Sequence, residues 1–137
     1  MIAGHAALIL CHKQKTSART RFLRFPDTLL VVGALPAPAG LLADFGSVRP
    51  HPAAAIAAAL QRLGLATGSI EPVVDFHADV ETPIGIVPVL LGGLTTIDPP
   101  FDAADAAGGR FVSILEASPL PPVELELLRR AYEVLIG

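Results

Sequence analysis

Thirteen prolines and twelve glycines punctuate this chain of 137 residues, spread along its length rather than gathered into a linker. Proline locks one backbone dihedral and lacks an N–H, and glycine costs order in any regular element. Each therefore tends to end or bend the helix or strand that reaches it. Such a chain builds short elements, and with no visible boundary it reads as a single domain over residues 1–137.

Between these breaks the apolar pattern assigns the elements. Ile2 to His12 suits a buried strand, the polar stretch Lys13 to Ser17 a turn, and Arg19 to Phe25 a second strand. Thr28 to Leu35 reads as a third strand, stopped by Pro36, Pro38 and Gly40, and Leu41 to Phe45 as a short helical turn. Pro52 fits the start of a helix in which Ile56, Leu60 and Leu63 recur at helical spacing, with Gly64 just past the end. The alanines around this stripe predict burial on a second side.

Val73 to Glu81 alternates strictly between apolar and polar, as a strand does. Thr82-Pro83-Ile84-Gly85 has the makings of a tight turn, and Ile86 to Leu91 returns as the partner of Val73 to Glu81, setting Glu81 opposite Ile86 and His77 opposite Leu90. Pro88 has no N–H for a ladder, which predicts a sheet edge or a bulge. Gly92 to Gly109 reads as a long irregular segment with one helical turn capped by Asp102, able to close over a pocket. Arg110 to Ala117 is the last strand and Pro122 to Ile136 the second main helix, striped by Val123, Leu127, Leu128, Ala131 and Leu135. The order is β-β-β-α-β-β-β-α. Short turns favour antiparallel neighbours, so the expected class is α+β, a mostly antiparallel sheet with two main helices on one face.

Composition narrows the partners. A net charge of −3 gives no pull toward nucleic acid or an anionic membrane, and one Tyr with no Trp offers little for base stacking. Charged residues make up only 17% and apolar ones 52%, against a usual charged share of about 25%. That predicts apolar surface hidden in a homo-oligomer, most simply a two-fold dimer. A lone cysteine, Cys11, excludes an intrachain disulfide; no basic residue precedes the run Ala6 to Leu10, so no secretory signal is expected and cytoplasm is the expected location.

Two clusters bear chemistry. Asp75, His77, Asp79 and Glu81 would share one strand face about 6.5–7 Å apart, as a ligand-binding stripe. Its carboxylates and imidazole suit a divalent cation, or Asp75 or Asp79 could orient His77 for acid–base work. Lys13, Lys15 and Arg19, with the hydroxyls of Thr16 and Ser17, form a candidate anion site. Cys11 and His12 are neighbours, so on a strand they face apart and cannot pair as nucleophile and base. No nucleophile elbow, metalloprotease helix, paired thiol motif or dinucleotide fingerprint occurs, and no cofactor or catalytic residue is specified. The sequence thus points to an accessory module binding a small ligand or a protein. The alternative is a small hydrolase or isomerase using His77 with Asp75 or Asp79, with or without a metal.

Overall fold

A computed structural model describes residues 6–14, 19–32, 35–42 and 51–137. Its strands are β1 (Ala7–Lys13), β2 (Thr20–Arg24), β3 (Gly40–Leu41), β4 (Ile70–Pro72), β5 (Ala78–Thr82), β6 (Gly85–Leu94) and β7 (Arg110–Val112). Its helices are α1 (Ala53–Leu63), α2 (Phe101–Ala106) and α3 (Pro122–Ile136), with a 3-10 turn at Ile114–Glu116 before α3. The class is α+β. One seven-stranded sheet runs β3-β5-β6-β1-β2-β7, and β4 also pairs with β6. Every pairing is antiparallel except β1 with β6.

The alternation of β1 explains why this sheet needs cover on both sides. Ala7, Ile9 and Cys11 enter one apolar cluster, with Leu127, Leu128 and Ala131 of α3. Leu8 and Leu10 enter a second, with Ala55, Ala59 and Leu63 of α1 and Ala104 of α2. Side chains on a strand point alternately to opposite faces, so the helices cover both faces rather than the one expected. A six-residue run without a polar position, Ala6 to Cys11, is the trace of this in the sequence.

Helix α1 meets the sheet through its small residues. Ala55, Ala59 and Leu63 are its buried face, while Ile56 and Leu60 are half-buried beside it and Ala53, Ala54 and Ala57 are exposed, so burial is one-sided. Gly64 ends the helix in the left-handed conformation, φ 65°, as its place in the sequence predicts.

Three expectations change. Among the described residues of the expected strand Thr28 to Leu35 no strand forms: a bridge joins Leu30 to Ile9, and Leu29 and Leu30 fill one cluster while Val31 fills the other. Strand β6 extends through Gly92 and Gly93 to Leu94 and is central, and Pro88 is accommodated because β1 begins pairing one residue later, at Val89. The segment that follows carries α2, and Arg110 leads a strand of three residues that gives way to the 3-10 turn. The expected strand start at Ile2 and residues 43–45 of the expected turn lie outside the described residues.

Candidate ligand-binding site

Because β1 and β6 are parallel neighbours, both run out at the same end of the sheet. There the chain encloses a cleft of about 430 Å³. Its floor is a row across three strands: Gly93 of β6 pairs with Glu71 of β4 on one side and Cys11 of β1 on the other. Lys13, two residues beyond Cys11, continues that face of β1. Thr95, Thr96 and Ile97 rise from the end of β6 as one wall, and Leu135 from the last turn of α3 closes the top.

The polar groups around the cleft are oriented by bonds within the protein. Lys13 Nζ donates to the Leu135 carbonyl at 3.0 Å, which places a cation on the negative end of α3. Thr95 Oγ1 donates to the Gly68 carbonyl at 2.7 Å and Thr96 Oγ1 to the Asp98 carbonyl at 2.6 Å. Gln14 Nε2 donates to Asp98 Oδ1 at 3.2 Å. On the opposite face of β1, buried His12 contacts the Thr96 carbonyl through Nε2 at 2.8 Å; a carbonyl only accepts, so Nε2 carries the hydrogen. His12 thereby fixes the backbone of the cleft wall from behind.

Cys11 adds no nucleophile. Burial pushes its thiol up to about 12, against smaller opposing effects of a backbone hydrogen bond and Lys13, so the sulfur meets the cleft as a neutral thiol. Cys11 and His12 face apart, as expected.

The glycines of β6 differ in their reasons. A Cβ on Gly92 would lie 2.9 Å from Ile70 Cγ2 and 3.0 Å from Leu10 Cδ2, so internal packing excludes a side chain there. On Gly93 it would meet nothing closer than Val73 Cγ2 at 3.7 Å, and the backbone is not left-handed. The space above Gly93 is the cleft itself.

The acidic stripe is not a stripe. On β6 the partners of Pro72 and Ala78 are Gly92 and Val89, so the five residues 73–77 stand against only two, 90–91. The surplus folds out as a turn at Val74 and Asp75, and the strand face expected from strict alternation exists only from Ala78 onward. Asp75 is exposed in that turn and His77 precedes β5 outside the ladder. Asp79 is buried, with Oδ1 3.2 Å from His77 Nε2. Glu81 is exposed at the far end of β5, opposite Ile86 as the turn predicts. Asp75 and His77 share an open cleft of about 510 Å³ with Arg130 and Glu133 of α3, whereas Glu81 belongs to a separate recess beside Gly40 and Pro83. Among the described residues no three His, Cys, Asp or Glu side chains converge as a metal site.

The anion set divides as well. Lys13 lines the cleft, Arg19 stands outside it, exposed ahead of β2, and Lys15, Thr16 and Ser17 lie outside the described residues. Arg19 acts instead with Arg110 on Glu116. That carboxyl is held below its ordinary value first by the Ser113 backbone N–H, then by the Ser113 hydroxyl, and less by the two arginines. Glu71 is a cleft residue that sequence reasoning missed, while Gly93, Thr95 and Thr96 fall in the segment 92–109 expected to close over a pocket, without being singled out as site residues. The one signal for them is a glycine pair inside an apolar run, which reads equally well as a strand end.

No helix among the described residues is long and apolar enough to cross a membrane. Compared with known proteins, the sequence matches no family model and no curated protein.

Proposed function

We propose that this domain is a non-catalytic module that binds a small molecule in the cleft between β1, β6 and the last turn of α3. The observation that carries this reading is Gly93. Glycine weakens a strand interior, and where it persists another backbone or a ligand commonly comes close. Packing excludes a side chain at Gly92, whereas a Cβ on Gly93 would rest in ordinary contact with Val73 Cγ2 at 3.7 Å and the Glu71 carbonyl at 3.9 Å, so packing does not require glycine at this floor position of the cleft.

Substitution tests this without threatening the fold. Gly93→Ala and Gly93→Val should be neutral or stabilising by up to about 1 kcal/mol, since both residues favour an extended backbone more than glycine does. In an NMR screen with small organic fragments, shift changes should centre on Cys11, Thr95, Thr96 and Leu135. They should weaken in Gly93→Ala and vanish in Gly93→Val. Fragments that bind elsewhere, or bind the variants equally well, would overturn the proposal.

The alternative, a small hydrolase or isomerase, is favoured by the 3.2 Å His77–Asp79 contact. Their side chains are only 9% and 3% exposed, however, and a general base must reach its substrate. The pair serves better as a brace across the turn at 73–77.

A two-fold homodimer and a cytoplasmic setting belong to the same proposal. Large apolar side chains left in solvent away from the cleft, among them Val74, Leu115 and Ile136, support the first, and the unbridged Cys11 the second. Light scattering at micromolar concentration should give twice the chain mass, and a clean monomer would remove the dimer.

A further inference from the structure

We propose that the ligand of this cleft is a free α-amino acid with an apolar side chain, an inference that rests on the binding reading above. The donors and acceptors around the opening are sorted by side. On the β1 side, Lys13 uses one of its three N–H groups on the Leu135 carbonyl and keeps two for a ligand. On the β4–β6 side stands the Glu71 carboxylate, which only accepts. Thr95 and Thr96 have already spent their hydroxyl hydrogens on the Gly68 and Asp98 carbonyls, so their oxygens offer lone pairs alone.

A carboxylate is therefore matched by Lys13 and an ammonium by Glu71 with the threonine oxygens. A simple anion would have to face Glu71 and a simple cation Lys13, each a like-charge contact in a partly closed space. Among the described residues neither Lys13 nor Glu71 has an ion-pair partner within the chain. Among the described residues the cleft has one positive and one negative side chain, which leaves the zwitterion as the neutral match.

The remaining wall is apolar. Val73, Leu135 and the neutral Cys11 thiol line it, and Ile97 stands at the opening 88% exposed. An isoleucine so exposed gains from any apolar group set against it. The bare Gly93 backbone allows the ligand's own backbone-like end to lie flat on the sheet.

The full chain would be titrated with L-leucine, with isocaproate, which lacks the ammonium, and with isoamylamine, which lacks the carboxylate. Leucine should shift the amides of Thr95, Thr96 and Leu135, and each analogue should bind about two- to fivefold more weakly, the range for losing one exposed ion pair. Glu71→Gln should weaken leucine by a similar factor and strengthen isocaproate, whose carboxylate no longer faces a like charge. Lys13→Met should weaken leucine and strengthen isoamylamine for the same reason. Isocaproate or isoamylamine binding as tightly as leucine would overturn the assignment, as would indifference of leucine to Glu71→Gln. If all three compounds fail while fragments still gather at Thr95 and Leu135 and are lost in Gly93→Val, the amino-acid assignment falls and the cleft reading stands. If Gly93→Val changes no fragment's binding, the cleft reading falls with it.

Discussion

Replacing Arg24 with alanine should lower the unfolding free energy by about 3–5 kcal/mol, a large share of the roughly 5–15 kcal/mol that holds a domain of this size together. Arg24 is only 3% exposed at the end of β2. Its Nε donates to the Phe25 carbonyl at 3.1 Å and its two terminal nitrogens to the carbonyls of Pro26 and Ala117, the first at 2.9 Å. Those carbonyls belong to two places where the chain leaves regular structure, the exit from β2 and the end of the 3-10 turn. Phe25 and Ala117 are buried while Pro26 is exposed, so losing the guanidinium strands two acceptors away from water as well as opening a hole. Arg24→Lys should still cost about 1–3 kcal/mol, because one ammonium cannot reproduce a planar fork that reaches three carbonyls. Urea unfolding at constant slope is the measurement. A loss under about 1 kcal/mol for Arg24→Ala would show that water or neighbouring donors replace it.

Nothing in the sequence marks Arg24 as buried. In the run Thr20 to Phe25 the arginines at 21 and 24 stand three apart and so take opposite faces of a strand, and such charges ordinarily stand on a solvated face or guard a sheet edge. What was legible is what local chemistry decides: Gly64 past the end of α1, the turn Thr82 to Gly85 with Glu81 set opposite Ile86, and the stripe of α3. What was not legible depends on residues far apart in sequence. The parallel pairing of β1 with β6 joins residues about eighty positions apart, and it brings Cys11 and Lys13 to the cleft beside Gly93. Asp75 and His77 left the expected stripe because β4 and β5 both pair with β6, and the chain between them has more residues than the strand it passes. Periodicity reports which residues alternate, and it carries no information on whether a partner strand keeps step.

The roof of the cleft depends on a second buried charge, and its loss should be felt at both ends of α3. Glu124, 4% exposed in the first turn of α3, accepts the Leu29 N–H at 2.6 Å and the Thr28 hydroxyl at 2.9 and 3.0 Å to its two oxygens. Thr28 in turn accepts the Leu30 N–H at 3.1 Å, so one carboxylate holds the segment that delivers Leu29 and Leu30 to the core. A carboxylate in the first helical turn also faces the positive end of the helix. Glu124→Ala leaves the Leu29 N–H buried without its acceptor and should cost about 2–4 kcal/mol. Thr28→Val removes one arm of the same network, so the double variant should be less damaging than the sum by about 1 kcal/mol. Additivity within about 0.5 kcal/mol would mean that the two side chains do not act together. Because α3 is pinned at its start by Glu124 and at its end by Lys13 on the Leu135 carbonyl, Glu124→Ala should also weaken ligand binding without touching the cleft. Glu71→Gln, by contrast, should weaken binding and leave stability alone, which separates a residue that meets the ligand from one that positions the roof above it.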